Sequence, residues 1–552
     1  MSVDPESGRD AERLKIAVIV DGDAVPRYVF EALKQLDGCG EIIVFSCANT
    51  TSRKNVVKHW AYYVLNLFSV RNQWTTKVKI NELPLRRART IVFDSVYDGA
   101  WQALPDAVLE TIEDSGIDVI LKFGMNLLRI PTQRTLPPIL SYHHGDPSLY
   151  RGRPAGFWEL INGQSAIGQM VQVLSNALDA GQIVAYGETK VYPHSYRATL
   201  VEAYRHSPLL LKQALRNIRS GERINRPTTG PNYRLPSNGV TLRLMGRLLW
   251  KKVQRLFYGA FYEKRWRVSV APTTEPFVSK AGVALPASET WRTLTPPGKY
   301  IFYADPFFSN DPPGILVEGL NRWTGLGEIL LVDEGRERRI SPPGGHYSYP
   351  CPIEVAGRQM LLPEVAEWSH PRLFSMESGH LREEAMLRLE PGAAILDPTT
   401  VERNGTIYLF GNVYPESTGA LSLWSAASID ATFVAHPCSP VRISPEGSRM
   451  AGKFLSVGGD LFRLGQDATG SYGDGILVFA VEELSETGYR EALIGKLKLS
   501  DRSGPHTVNM REGAVVFDWY FESFSLLAGV RRLLSQLYAK AASRLPRADS
   551  AG

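Results

Sequence analysis

Two polar groupings in this 552-residue chain have side chains suited to chemistry. The denser one runs from Ser141 through Tyr142, His143, His144, Gly145, Asp146, Pro147 and Ser148 to Arg151-Gly152, directly after the apolar pair Ile139-Leu140. Adjacent histidines at a strand end, in a loop of small residues, suit a site better than a core, because imidazole gains and loses a proton near neutral pH. The plain alternative is a hydrogen-bonded loop pair. Downstream, Asp179 sits in the turn Leu178-Asp179-Ala180-Gly181 between apolar segments, where an aspartate by itself reads first as a turn cap. The second grouping is acidic. Asp305 in Tyr-Ala-Asp-Pro-Phe-Phe and Asp397 in Leu-Asp-Pro-Thr-Thr open two repeats; Glu318, Glu364, Asn412 and Gln466 fall near the ends of the strands that follow, and Arg449, Lys453, Asp467 and His506 share those two registers. Acid–base work on a bound substrate needs one protonated and one ionised carboxyl group. Asp305, Glu364 and Asp397 could supply them, with turn capping as the structural alternative.

The elements that must position these residues change character along the chain. From Leu14 an apolar run, an amphipathic stretch and the run Glu41–Cys47 read as strand, helix, strand. Thr90–Phe93 and Ile117–Phe123 continue as strands, and Ala103–Glu113 as a helix, which is the alternation of a parallel sheet with helices on its faces. The spacing also predicts a helix over Gln164–Leu178. The first strand-to-helix turn, Val-Asp-Gly-Asp-Ala-Val-Pro, lacks G-x-G-x-x-G, so no nicotinamide cofactor is expected. Between Arg197 and Arg267, 16 Lys and Arg face three acidic residues. Within that stretch Leu242–Tyr258 alternates apolar and basic residues at helical spacing. It reads as an interdomain helix or as a contact for a membrane surface or anionic polymer, and the shorter segment Ser525–Arg547 repeats the pattern. From Arg267 to Phe524 short apolar runs punctuated by Gly and Pro indicate an all-β region. Glycine turns at Gly314, Gly357, Gly405, Gly459 and Gly513, each followed by a strand, recur at intervals of 43 to 54 residues, the size of a four-stranded blade, so a five-bladed β-propeller is expected.

Taken together, the first segments resemble the folate-dependent formyltransferase family. The residues that match its order are Asp23-Ala-Val-Pro26, Ser141-Tyr142-His143, Pro147-Ser148-Leu149-Tyr150-Arg151-Gly152, Trp158–Gly163 and Leu178-Asp179-Ala180-Gly181, over about residues 14–190. The resemblance implies a Rossmann-like α/β domain of formyltransferase type, 10-formyltetrahydrofolate as formyl donor, and His143 and Asp179 as the catalytic pair. It also places Phe123, Gly124 and Met125 in the loop that receives the pterin through backbone hydrogen bonds. Ser141 stands where the family has asparagine. An amine attacking a formyl carbon builds negative charge on oxygen and positive charge on nitrogen, so a donor must meet the first and a proton relay the second. Losing the asparagine amide costs on the order of 3 kcal/mol in the transition state unless His144 or a backbone N–H compensates. The β region resembles the N-terminal region of glucosamine inositolphosphorylceramide transferase and, more distantly, five-bladed glycosidase propellers. On that resemblance Asp305, Glu364, Asp397, Gln466, Asp467 and His506 are its candidate substrate residues.

Composition bounds the rest. With 22% charged and 44% hydrophobic residues the chain is globular, and its net charge of +5 hides a local excess of +13 between Arg197 and Arg267. No nucleic-acid partner is expected. The four cysteines, Cys39, Cys47, Cys351 and Cys438, form no C-x-x-C pair, and no metal is expected. Reduced cysteines and the absence of a secretory pattern in Met1–Lys15 lead us to expect a cytoplasmic protein, with residues 240–267 and 525–547 as candidate peripheral contacts at the inner face of a membrane. The expected organisation is a disordered start (1–13), a formyltransferase-like domain (14–195), a basic helical linker (196–266), the propeller (267–524) and a basic amphipathic tail (525–552). The expected activity is N-formylation of an amino sugar in glycan or nucleotide-sugar metabolism, with the propeller holding the glycan. The alternatives are a glycan-binding protein whose formyltransferase-like domain has lost its chemistry, and a propeller that itself acts on a glycoside or transfers a glycosyl group.

Overall fold

The computed structural model describes residues 14–36, 40–50, 56–83, 88–365, 368–415 and 418–534. Cys39, the first 13 residues and the end of the basic tail lie outside them. The chain divides into two units, Met1–Lys252 and Val253–Gly552.

The first unit is built on seven strands: β1 (Ile16–Asp21), β2 (Ile42–Cys47), β3 (Ala88–Phe93), β4 (Val119–Lys122), β5 (Ile139–His144), β6 (Ala166–Val173) and β7 (Gln182–Lys190), in the order β7-β6-β5-β4-β1-β2-β3. The five strands from β5 to β3 are parallel, and β6 and β7 add antiparallel at one edge. The central strands read as unbroken apolar runs because both faces are covered: Ile16 through Val20 are all buried. Helices α1 (Arg27–Leu33), α2 (Asp106–Asp114), α3 (Tyr196–Ser220) and α4 (Asn238–Phe261) follow. Val108, Leu109 and Ile112 of α2 join Ile19, Phe45 and Ile120 in one cluster.

Two expectations need correction here. Gln164–Leu178 is not a helix; its core is β6, paired on both sides, to β5 and to β7. Apolar spacing over so short a run fits either structure, and two available strand partners decide it. Nor is 196–266 a linker throughout. Ser195 caps α3 by accepting from the Ala198 N–H, and the helix buries Leu200, Ala203, Leu210, Leu211 and Ala214 while packing along β6 and β7. It is a layer of the first unit, and the β region begins at Tyr262, five residues before the expected start.

The second unit contains five sheets of four to six strands, assembled mainly from antiparallel hairpins. The strands that matter below are β8 (Tyr262–Pro272), β9 (Tyr300–Asn310), β10 (Pro313–Asn321), β11 (Ser348–Val355), β12 (Arg358–Glu364), β13 (Ile395–Arg403), β14 (Thr406–Val413), β15 (Glu446–Met450), β16 (Asp460–Asp467), β17 (Val508–Arg511) and β18 (Ala514–Phe524). The glycine turns at Gly357, Gly405, Gly459 and Gly513 precede β12, β14, β16 and β18, the second strand of each hairpin, whereas Gly314 lies inside β10, after a turn made by Asp311-Pro312. Gly405 and Gly513 hold left-handed φ of 76° and 78°, which a side chain would strain. β8 pairs with β18 from Tyr262–Phe524 to Pro272–Ala514, so the two ends of this region share one sheet. β9 packs against β8 and against β11, β11 against β13, and β13 against β15. Bonds from Val508 N to Ala451 O (2.9 Å) and from Lys453 N to Asn509 Oδ1 (2.8 Å) join the fifth sheet to the first.

One local device recurs. β9, β11, β13 and β15 each slip register, at Ala304/Phe307, Ser348/Cys351, Leu396/Thr399 and Glu446/Arg449, and β9 slips a second time at Tyr300/Tyr303. The slipped residues Asp305, Tyr349, Asp397 and Gly447 have φ of 47°, 45°, 48° and 78°. A bulge of this kind re-aims a side chain, and a non-glycine residue held there costs roughly 1–3 kcal/mol, which the surrounding packing must offset.

Candidate active site

Strand alternation sorts the histidine loop. Ser141 and His143 point to one face of β5, Tyr142 and His144 to the other. On the first face the His143 Nδ1 lies 3.4 Å from Asp179 Oδ1, and Nε2 lies 3.1 Å from the Tyr150 carbonyl oxygen. Both ring nitrogens therefore face acceptors, the arrangement of a ring that donates. Asp179 is fixed from its other side: its Oδ2 accepts from Gly152 N at 2.9 Å, and its backbone is held at φ 46°. The two residues that lie 36 positions apart in sequence are thus brought together, with the Arg151-Gly152 pair between them supplying the second hold on the carboxylate.

The same face carries a residue that the sequence did not single out. Lys122, the last residue of β4, is the register partner of Ser141, and parallel neighbours in register share a face. Its Nζ donates to Asn126 O at 2.9 Å. Burial lowers its pKa to about 8, while the charges of Asp21 and Asp179 pull the other way. A cation thus stands beside the position where the expected amide is absent. His144 does not compensate for that amide. It points to the opposite face, where Nε2 meets Ser207 Oγ at 2.7 Å and the ring is enclosed by Tyr28 and Tyr204. Burial holds it neutral, lowered to about 3.

The loop Phe123–Met125 is tied to β1. Phe123 N and Gly124 N both donate to Ile19 O, at 2.8 and 3.2 Å, and Met125 N donates to Asp21 Oδ1 at 2.8 Å. Gly124 is required by close approach: a Cβ there would lie 2.6 Å from Val20 C and from Asp21 Oδ1. The three backbone N–H groups of this loop are spent inside the protein, so the expected backbone contact with a pterin would use carbonyl oxygens, which suit the amino and ring N–H groups of a pterin. A separate cavity of about 410 Å³ over β2 and β3 is lined by Asp23, Ser46, Lys79 and Asn81, not by the His143 pair.

In the second unit the bulges at Asp305 and Asp397 bring the acidic set together. Arg449 bonds Asp397 through Nε (2.5 Å) and Nη2 (3.1 Å) and reaches Glu364 Oε2 at 3.1 Å. Gln466 Nε2 donates to Asp397 Oδ2 at 3.0 Å. His506 lies between Asp305 (Nε2 to Oδ1, 3.2 Å) and Asp518 (Nδ1 to Oδ2, 2.7 Å). The ligand atoms of these three lie within 4.8 Å of one another, a grouping that an imidazolium between two carboxylates explains. Burial pushes Asp305 up, but His506 and the Thr507 hydroxyl outweigh it and hold the carboxyl below its usual range. Glu318 goes the other way: burial first, then the charges of Asp305 and Glu364, raise it well above the usual range. Two carboxyl groups with opposed tendencies are what acid–base work on a glycosidic bond requires. Tyr472, 40% exposed, lies 5.2 Å from the His506 ring and 5.4 Å from the Arg449 guanidinium carbon.

Of the expected set, Asp305, Glu364, Asp397, Gln466 and His506 converge. Asp467 does not: it follows Gln466 on β16 and so points to the other face, where it pairs with Lys496 and accepts from Thr469. Glu318, Tyr472 and Asp518 complete the cluster; Glu318 occupies on β10 a place like that of Glu364 on β12, a signal present in the repeat. His506 also predicts a pH response. Burial favours the neutral ring, but Asp518 and Asp305 outweigh it and raise the pKa to about 10 from 6.5. The charged ring therefore stabilises the folded unit fully below pH 6.5, and the contribution is lost as pH rises through about 10. Calorimetric melting of the second unit should drop between pH 7 and 10, with a slope that flattens in His506→Asn; an equal slope in both proteins would refute the assignment.

With this geometry in place, comparison with known proteins separates the two halves. Residues 343–513 match the family described as glucosamine inositolphosphorylceramide transferase 1, N-terminal. Glucosamine inositolphosphorylceramide transferase 1 of Arabidopsis thaliana is 27% identical over 172 residues, 30% of this chain and 22% of that protein. Its counterpart in Oryza sativa subsp. japonica is 25% identical over 152 residues, 26% of this chain and 20% of that protein. The chain thus matches about a fifth of the length of these relatives. Among solved structures, glycinamide ribonucleotide transformylase 1 from Symbiobacterium toebii aligns with 17% identity over 41% of this chain and 95% of its own (TM-score 0.28). A 4-N formyltransferase from Francisella tularensis aligns with 15% identity over 40% and 76% (TM-score 0.27).

Proposed function

We propose that the first unit is an N-formyltransferase that moves a formyl group from 10-formyltetrahydrofolate to an amino sugar. The observation that carries this reading is the pair formed by His143 and Asp179 on one face of β5, at positions where the formyltransferase pattern calls for them. 10-Formyltetrahydrofolate supplies the formyl group when bound. His143 donates a hydrogen bond to the oxygen on which negative charge develops, releasing its contact with Tyr150 O as it does so. Asp179 holds the ring's orientation and stabilises its charged form. Lys122, beside Ser141, places positive charge near the same oxygen and takes over part of the work of the absent amide. The incoming amine loses a proton to the Asp179 carboxylate as the new C–N bond forms, and that proton is returned to the donor nitrogen as its bond to the formyl carbon breaks, so that tetrahydrofolate leaves with an N–H.

The test is release of tetrahydrofolate by the full chain incubated with 10-formyltetrahydrofolate and a panel of amino-sugar nucleotides. Turnover is expected with at least one acceptor. Lys122→Met should lower it by about 10–100-fold, and the wild-type rate should fall as pH rises through about 8, where Lys122 loses its proton. No turnover with any acceptor, together with folate and sugar binding unaffected by His143 or Asp179 replacement, would defeat the reading.

For the second unit we propose that the five sheets are the blades of a propeller whose centre binds a glycan. The convergence of Asp305, Glu318, Glu364, Asp397 and Arg449 beneath the exposed Tyr472 supports this, since carboxylates and a guanidinium satisfy hydroxyl groups while an aromatic face covers a sugar ring. The opposed tendencies of Glu318 and Asp305 favour a second reading, in which this centre also cleaves or transfers a glycosyl group.

A further inference from the structure

Helix α4 exposes Leu242, Leu249, Trp250, Val253, Leu256 and Phe257 by 48–65% each. At about 100° of turn per residue, these six fall within about 120° of the helix circumference, a single apolar stripe. The face that packs inward is a different one, marked by Thr241 and Leu244. The helix contains five Lys and Arg and no acidic residue. On the same wheel Arg243 and Arg247 border the stripe on one side and Lys252 on the other. Arg247 donates to Ile161 O at 2.5 Å, while long side chains such as those of Arg243 and Lys252 can lie along apolar surface with their charged ends outward.

A second set of apolar side chains is anchored at the end of this helix. Residues 528–534 are helical, and Leu526, Leu527, Val530, Leu533 and Leu534 are 52–73% exposed. Arg532 donates to the carbonyl oxygens of Gly259 and Tyr262, and Gly529 sits against Ala260 so closely that a Cβ would come within 3.2 Å of its Cα. Arg531 is paired with Glu263. The apolar residues at the α4 terminus and those of this segment are therefore held as neighbours in the second unit.

An exposed apolar stripe with aromatic residues on it, bordered by cations and free of acidic residues along its helix, matches one chemical environment: the boundary between acyl chains and anionic headgroups. Among the described residues no helix is long and apolar enough to cross a bilayer, so the helix would lie in the plane of the surface. We infer that the stripe of α4, with the anchored segment 526–534, is a docking face for an anionic lipid bilayer. This holds independently of the activity assigned to either unit.

The experiment is flotation of the full chain with vesicles of pure phosphatidylcholine and of phosphatidylcholine containing 30% phosphatidylserine as the probe. Binding to the anionic vesicles is expected, weakening as salt rises. The variant Leu249→Glu/Trp250→Glu/Leu256→Glu should reduce it by at least about tenfold. Because all three side chains are already exposed, its melting curve should match wild type. Arg243→Glu/Lys252→Glu should remove the preference for anionic lipid. Wild type that does not float with anionic vesicles, or a triple variant that floats as well as wild type, overturns the inference. So does a wild-type dimer that the triple variant dissociates while lipid binding stays unchanged, since the stripe would then join two copies of the chain.

Discussion

Replacing His143 with alanine should lower the proposed formyl transfer by about 10²–10⁴-fold, the range expected when a positioned proton donor is removed, and leave the melting temperature of the first unit within a few degrees of wild type. The expectation follows from where the ring sits. His143 is 8% exposed and contacts only a carboxylate and one carbonyl oxygen through its polar atoms, so its removal takes away a donor and opens a small polar space at the end of β5, outside the cluster of Ile19, Phe45 and Ile120. Asp179→Asn should reach a similar loss by a different route. The asparagine oxygen can still accept from Gly152 N, keeping the turn, but the neutral amide no longer stabilises a charged ring. The two effects should therefore not add: the double variant is expected to be no slower than the worse single variant. Steady-state release of tetrahydrofolate, with folate binding measured separately, checks this. Rates that multiply in the double variant would mean that the two side chains do not act as one unit.

Replacing Arg449 with methionine destabilises the second unit by about 3–5 kcal/mol, because it strands two buried carboxylates. Arg449 serves Asp397 with two hydrogen bonds and Glu364 with one, and all three side chains are at most 12% exposed. Asp305, held below its usual range, contributes further negative charge to the same centre. Removing the cation therefore costs far more than a surface pair would. For a unit of this size each kcal/mol shifts the midpoint by roughly 2–4 °C, so calorimetry should show a drop on the order of 10 °C in one transition of the full chain. Adding Asp397→Asn to the Arg449→Met protein should recover part of the loss, since it removes one of the stranded charges. A midpoint unchanged by Arg449→Met would show that the carboxyl groups are protonated and the centre is not charged as described.

How much of this was legible from residues alone differs between neighbours in the chain. His143 and Asp179 could be paired before any coordinates because a spaced pattern of short motifs carries them. His144, next in sequence and chemically identical, could not be assigned, because the choice of face depends on which way β5 enters the sheet. Lys122 was silent for a related reason: nothing in its own surroundings marks it, and its role follows from the register that sets it beside Ser141. Four of the glycine turns announced hairpins correctly, since a left-handed turn residue is a local requirement; at Gly314 the turn is made by Asp311-Pro312 and the glycine lies in the strand that follows. The helix expected over Gln164–Leu178 failed because a short apolar run has no preference strong enough to resist two strand partners.

The sequence by itself therefore determined what local physics controls: the central buried strands, the turns, the amphipathic helix α4, the concentration of positive charge around it, and the residue types available for chemistry. Tertiary structure alone decided which of those residues meet. It turned Asp467 away from the centre while keeping Gln466 in it, set Glu318 among charges that raise its pKa, and put a lysine where an amide was missing. The reason is that facing and register are properties of strand pairing, fixed by partners far away in the chain, whereas turn chemistry and helical periodicity are written within a few residues.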